Sequence, residues 1–511
     1  MQRTVLIAAG LLALLLFLPQ LAVATNSCLL CHTEQSSGYS EAHGFARDNC
    51  VICHLGDASA SAPAAAHAGM LPFPGNLDNA EQACGGCHSD KVESVTNSQM
   101  HTGHGMVDVT RRLVDGEPGH SGTAALQSLG HGPADSMLRK LCASCHLGQP
   151  KTAHQLNPTT DRGGGCLACH INAYPDNAHP ALTRQVSDGR CFGCHSRSGR
   201  ISLNYTGLAE IDPADGDRPL RLADGRAVER MPEDVHYRAG MGCIDCHTGA
   251  ALMGDGSSPS HKKEAVDISC IDCHQDATSA QTAGKLATTR RGTPLPHLKY
   301  RDSALWLQSK TSGRSLQVPQ LGAEHAALTQ GHERIECATC HSQWAPRCFG
   351  CHMSYDAQGE QWDHVERKLT PGRWSEQRDN IDNGLAALGV NEHGRIELFV
   401  PGMIMTVEHP EWPEPRFTRT FAPLSPHTSG PARSCNSCHR DPGALGLGEG
   451  VLEERAGKVH FTPHQKHLTD GLPSDAWIDL AGEGGTTPRK GLRPLNLEEI
   501  KAILNAPMPE G

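Results

Sequence analysis

The sequence predicts a mainly α fold with much irregular loop and minor β insertions. Three observations carry that expectation. A five-residue pattern, Cys-x-x-Cys-His, recurs eleven times, and its spacing fits one turn of helix. Glycine (54) and proline (33) are frequent enough to break helices into short pieces joined by loops. Aromatic residues make up only 4 % of the 511 residues, little for an ordinary hydrocarbon core.

The N-terminus reads as a targeting segment. Arg3 supplies a positive charge, Val5 to Leu18 is an apolar run, Pro19 ends it, and Ala22-Val23-Ala24 is a small-x-small cleavage site. Residues 1–24 are therefore expected to be a cleaved signal peptide, and the mature protein periplasmic or extracellular. The run is shorter than the roughly 20 residues that span a bilayer.

The cysteines decide the chemistry. They pair as Cys28 with Cys31, Cys50 with Cys53, Cys84 with Cys87, Cys142 with Cys145, Cys166 with Cys169, and Cys191 with Cys194. The series continues as Cys243 with Cys246, Cys270 with Cys273, Cys337 with Cys340, Cys348 with Cys351, and Cys435 with Cys438. A histidine follows each pair at once: His32, His54, His88, His146, His170, His195, His247, His274, His341, His352 and His439. Eleven disulfides would suit an exported protein. Disulfides, a thioredoxin-like site or Cys2His2 zinc give no reason for a histidine after every pair. The pattern is the one that attaches c-type haem. Two thiols at i and i+3 share a helix face and reach both vinyl groups of one porphyrin, and the next histidine turns under the ring to ligate iron. Eleven covalently attached haem c groups are expected. With about 44 residues per site, they should themselves form the core of a compact multihaem cytochrome c.

The order of motifs suggests six haem sites in residues 25–200, a loop or hairpin insertion at 201–232, four sites at 233–360, and one at 361–511 together with distal-ligand histidines. Arg218 to Arg230, with a central Asp-Gly, reads as a hairpin. The stretch LPHLKYRDSALWLQ from Leu295 reads as a helix, and RIELFVPGMIMTV from Arg395 as two short strands broken by Pro-Gly.

Each iron has a sixth position, and 20 of the 31 histidines lie outside the motifs. His43 and His236 precede a motif cysteine by the same six-residue interval, and His154, His179 and His325 by eleven. With His261 and His427 ahead of later motifs, and His67, His101, His131 and His464, they are the distal candidates. A short upstream segment can hand its imidazole to a neighbouring site. The cluster His460, His464 and His467 could instead hold zinc, copper or nickel. In CATCHSQWAPRCFGCH, six residues separate His341 from Cys348, which predicts a tightly packed pair of sites. Their nearest distal candidates are His325, His332, His364 and His427, with Trp344 and Pro346 stiffening the turn. Two imidazoles keep a haem at lower potential than a Met/His pair. Met403 and Met405 read as packing residues.

The net charge of −11 argues against nucleic acid and for partners with basic patches. Such partners would be a quinol-oxidising membrane complex or other cytochromes. A homo-oligomer or filament, in which one subunit's histidine ligates the next subunit's haem, is a further possibility.

Two segments carry a family resemblance. DVHYRAGMGCIDCHTG, from Asp234, and VESVTNSQMHTGHG, from Val92, are similar to segments of the superfamily of octahaem tetrathionate reductase and hydroxylamine oxidoreductase. The resemblance implies mostly bis-His haems in near-contact chains, held by the motif residues and by distal histidines such as His236. It implies an electron carrier of anaerobic respiration or, alternatively, a terminal reductase. The latter would act on tetrathionate, nitrite or a metalloid oxyanion at one open-site haem, with Arg373, Arg416, Arg419 and Arg433 as helpers. The chain has no Cys-x-x-Cys-Lys motif of the pentahaem nitrite reductase kind. Tyr355 follows His352 closely, but no catalytic residue is assigned.

Overall fold

The computed structural model describes residues 26–32, 40–116, 124–152, 162–172, 179–196, 201–212, 219–274, 287–323, 325, 329–348, 350–378, 381–456, 458–485, 489 and 491–508. The expected signal peptide and the distal candidate His154 lie outside these residues. Among the described residues, no helix is long and apolar enough to cross a membrane.

The chain divides into two units, and residues 1–74 with 172–182 make the smaller. Its described part is a set of single-turn helices, including Cys28–Cys31, Val51–His54 and Pro63–Ala66. Pro63 opens the last of these, at the first helical position, where no backbone N–H is needed.

Residues 75–171 and 183–511 form the larger unit. Its first third is helical, with Gly85–Asn97 and His104–Val114 the longest pieces. Val107, Leu113 and Val114 bury one stripe of the second helix. Beyond that the chain turns to strands. Strand content, 24 %, approaches helix content, 30 %. The expectation of a mainly α fold with minor β insertions is therefore wrong.

The main sheet has six strands. They are β1 (Cys351–Asp363), β2 (Lys368–Arg378), β3 (Ala387–Val390), β4 (Ile396–Glu408), β5 (Arg416–Pro423) and β6 (Arg493–Pro494). Strand β4 is central. Its one edge pairs antiparallel with β5, and the other is shared by antiparallel β3 and, from Met405↔Cys351 to Glu408↔Ser354, parallel β1. Strand β2 extends β1 and β6 extends β3. The predicted break at Pro-Gly is instead a register shift between Pro401 and Met403 inside one strand. A proline cannot donate to a ladder, and such an irregularity is where a strand tolerates one.

The sheet region has a hydrocarbon core of its own. Leu388, Val390 and Leu398 pack with Leu445, Leu447, Ile478, Leu495 and Ile500. Phe421 and Trp477 stack at 4.5 Å between ring centroids, with Phe399 against the same indole. Met353, Trp374, Met405 and Val407 pack against Leu113, Val114 and Met137 of the helical part. Arg139, almost fully buried, ties the two parts: it meets Asp363 at 2.8 Å and Glu366 at 2.6 Å, and donates to Leu129 O at 2.9 Å.

Smaller sheets fill the rest. The predicted hairpin is present, with Leu220–Arg221 antiparallel to Ala227–Arg230 and Gly225 at φ +87° in the turn. The predicted helix at Leu295 is not. Leu298–Arg301 and Ala304–Gln308 form a hairpin extended by Ser315–Val318. Asp302 and Ser303 both take positive φ, as a two-residue turn between twisted strands requires. Leu305 and Leu307 alternate into the core, a period-2 pattern that outweighs helix propensity.

Candidate functional site

All but one of the eleven motifs sit on a helical turn. Backbone bonds from the motif histidine to the first cysteine carbonyl close it, as in His54 N to Cys50 O (2.9 Å) and His274 N to Cys270 O (2.8 Å). The second cysteine often turns back on the same carbonyl. Cys53 N donates to Cys50 O at 3.2 Å, and Cys87 N to Cys84 O at 3.1 Å. Cys53 is half-buried and Cys87 is exposed. The tenth motif departs. Cys348 ends the strand Ala345–Cys348, while Cys351 and His352 open β1. The two motifs of CATCHSQWAPRCFGCH thus differ in backbone: Cys337–His341 is helical and its successor extended. Between them, Trp344 is buried and donates to Pro232 O at 2.9 Å, and Gln343 N donates to Thr428 O at 2.9 Å.

Among the described residues, seven motif histidines are seen to face a second imidazole. The pairs are His32 with His67 (6.1 Å between ring centroids), His54 with His179 (6.0 Å), His146 with His101 (5.0 Å) and His274 with His236 (6.0 Å). They continue with His247 and His427 (6.2 Å), His341 and His325 (6.4 Å), and His439 and His332 (6.1 Å). A metal–imidazole bond is about 2 Å. Two such bonds in line, with each ring centre about 1 Å behind its nitrogen, require about 6 Å. Six pairs meet that spacing. The fourth-site pair is tighter: His146 Nε2 donates to His101 O, and Gln127 Nε2 donates to His101 Nε2 at 2.7 Å.

The ring nitrogens are also presorted. Nδ1 of His54, His170, His274, His341 and His439 lies 2.7–3.0 Å from a backbone carbonyl. On the partner side, His101 and His427 do the same, and His236 Nδ1 lies 2.8 Å from buried Asp234 Oδ1. A carbonyl accepts only from N–H, so the tautomer leaves Nε2 with its lone pair, the form a metal ligand needs. Burial holds His146 and His247 down to about 4, so both are neutral at pH 7. Asp234 keeps its carboxyl below the usual range. Burial pushes it up, but hydrogen bonds from His236 and from the backbone N–H groups of His236 and Ser429 outweigh that.

The motifs are strung together. All 22 cysteines are free thiols. In the smaller unit, Cys28 lies in hydrogen-bond contact with Cys50. In the larger unit Cys84 meets Cys166, Cys191 meets Cys243, and Cys270 meets Cys337. Cys169 is close enough to feel Cys191, Cys246 to feel Cys273, and Cys340 to feel Cys435. Cys194 Sγ reaches Cys145 O at 3.5 Å. The series runs third, fifth, sixth, seventh, eighth, ninth, eleventh, with the fourth branching at the sixth.

Of the sequence candidates, His67, His101, His179, His236, His325 and His427 face a motif imidazole. His131 is exposed, 3.9 Å from Glu366. His261 lies 3.3 Å from Glu264. His43 sits near Ser40 and Phe45, and His464 is exposed. His332, expected as a candidate for the ninth or tenth site, instead faces His439 of the eleventh. Four residues separate it from Cys337, which matches neither recurrent interval. Among the described residues, no group of three or more metal-binding side chains occurs, at His460–His467 or elsewhere. The arginines do not converge. Arg419 is buried against Asp470, Arg433 bonds Ser437, and Arg416 donates to Val114 O.

Comparison with known proteins finds no match, whether to family models, curated proteins or solved structures.

Proposed function

We propose that this chain is an exported undecahaem c-type cytochrome that passes electrons along a series of low-potential, mostly bis-His haems, in anaerobic respiration. The observation that carries the reading is the set of imidazole pairs about 6 Å apart, each with a motif histidine on one side. The two short segments similar to octahaem tetrathionate reductase and hydroxylamine oxidoreductase agree with it. Bound haem iron would supply one-electron exchange between ferric and ferrous states.

The residues here do the rest. Motif cysteines fix each porphyrin edge. Carbonyls on Nδ1 orient the imidazoles and hold their tautomer. Two neutral imidazoles per iron favour low potential. Thiol contacts between neighbouring motifs would hold their cofactors near one another, which would suit electron exchange between them. A quinol-oxidising membrane complex or another cytochrome is the expected donor, and the acidic surface suits a basic partner.

The test is ferric electron paramagnetic resonance with haem quantification on protein matured in a host that attaches c-type haem. Eleven haems per chain with dominant low-spin signals are expected. Haem-free protein, or wholly high-spin signals, would sink the reading.

A further inference from the structure

We infer that Arg162 and Arg433 are charged clamps, each fixing two attachment loops against one another and raising the reduction potential of the haems held there. The inference rests on the haem reading above. Arg433 spans the ninth and eleventh motifs. Its backbone N–H donates to Cys340 O at 2.8 Å. Its side chain folds onto the eleventh motif, with Nε donating to Ser437 Oγ at 2.8 Å and Nη2 to Ser437 O. Arg162 repeats the arrangement between the fourth and sixth motifs. Its Nε donates to Gly193 O at 2.6 Å and its Nη1 to Ser144 Oγ at 3.3 Å. Ser144, Gly193 and Ser437 each stand directly before the second cysteine of a motif. Both arginines therefore sit where second cysteines meet. Cys194 Sγ lies 3.5 Å from Cys145 O, and Cys438 is close enough to feel Cys340.

Neither charge is neutralised locally. Among the described residues neither guanidinium meets a carboxylate, and Nη1 of Arg433 is buried without a partner. Asp441 also acts on the Cys438 thiol, but less strongly than Arg433, and it accepts from Gly443 N at 2.9 Å. Carbonyl and hydroxyl acceptors hold a guanidinium in place and leave its charge intact. Ferric haem carries one more positive charge than ferrous, so a fixed cation at the porphyrin edge favours the ferrous form. At an effective dielectric of about 20, a unit charge a porphyrin's width away changes the ferrous-to-ferric ratio on the order of tenfold.

The test is a spectroelectrochemical titration of the full-length, haem-loaded protein. Arg433→Gln should lower two components, each about tenfold in ferrous-to-ferric ratio at fixed potential, or about 59 mV. Arg433→Lys keeps the charge and should stay close to wild type. Replacing Cys435 and Cys438 with alanine should abolish one of the two components that Arg433→Gln moves. Arg162→Gln should lower a different pair, and it carries the same test should Arg433→Gln fail to load. A fall in Arg433→Lys as large as in Arg433→Gln would overturn the inference, because the loss would then follow the fork and not the charge. Fully loaded glutamine variants that titrate like wild type would end this inference and leave the electron-transfer reading standing. Wild-type protein without haem would end both.

Discussion

Asp234→Asn should raise the potential of one haem and leave the other ten in place. Asp234 is 2 % exposed, and its Oδ1 accepts from His236 Nδ1 at 2.8 Å. His236 faces His274 of the eighth motif. Across the imidazole and one metal bond, that carboxylate lies about 7 Å from the expected iron. At an effective dielectric of about 20, a unit charge at that distance contributes about 2.4 kcal/mol. The ferric form carries one more positive charge than the ferrous, so the carboxylate favours it, and its removal shifts the couple upward. With about 59 mV per tenfold for one electron, the shift is about 100 mV. Asparagine keeps the hydrogen-bond acceptor and the shape, which separates charge from positioning. The assay is a spectroelectrochemical titration of both proteins. One component of eleven should move up by about 100 mV. A titration superimposable on wild type, with the variant folded and fully loaded, would refute the placement of Asp234 behind an iron ligand.

Three other outcomes are expected. His332→Ala should give one high-spin haem, and that signal should vanish when Cys435 and Cys438 are also replaced, because His332 faces His439; a signal that persists would put His332 on another iron. Arg139→Ala leaves Asp363 buried without its cation and should cost about 3 to 5 kcal/mol in chemical denaturation; a loss under about 1 kcal/mol would contradict it. Glu499 is held down to about 2: burial raises it, but Arg493, the Asn496 backbone N–H and Arg334 lower it further. Its folded pKa lies below the unfolded value of about 4.3, so its stabilisation is full above that value and is lost as pH falls toward 2. Thermal melts of Glu499→Gln and wild type should therefore converge near pH 2 and separate above pH 5.

The eleven Cys-x-x-Cys-His repeats are legible in the sequence, because spacing within five residues is local and needs no tertiary information. The histidines that face a motif imidazole were legible as a class but not as pairs. Six residues separate His236 from Cys243, yet it faces His274 of the next motif. His427 precedes the eleventh motif and faces the seventh. Which ring an upstream histidine meets depends on how loops cross in space, and no interval encodes that. The sheet was missed for a different reason. Glycine and proline counts argue for broken helices, but in β4 the proline sits at a register shift rather than ending the strand. The hairpin at Asp302–Ser303 hides in a sequence with no glycine or asparagine at the turn, where two ordinary residues take positive φ.

The most direct measurement is haem content and spin state on one sample of the mature protein. Pyridine haemochrome analysis with intact mass should give eleven covalently bound haems, and the ferric resonance spectrum should be dominated by low-spin iron with two imidazoles. A chain that exports and folds with its cysteines in disulfides or on zinc, and without iron, would contradict it.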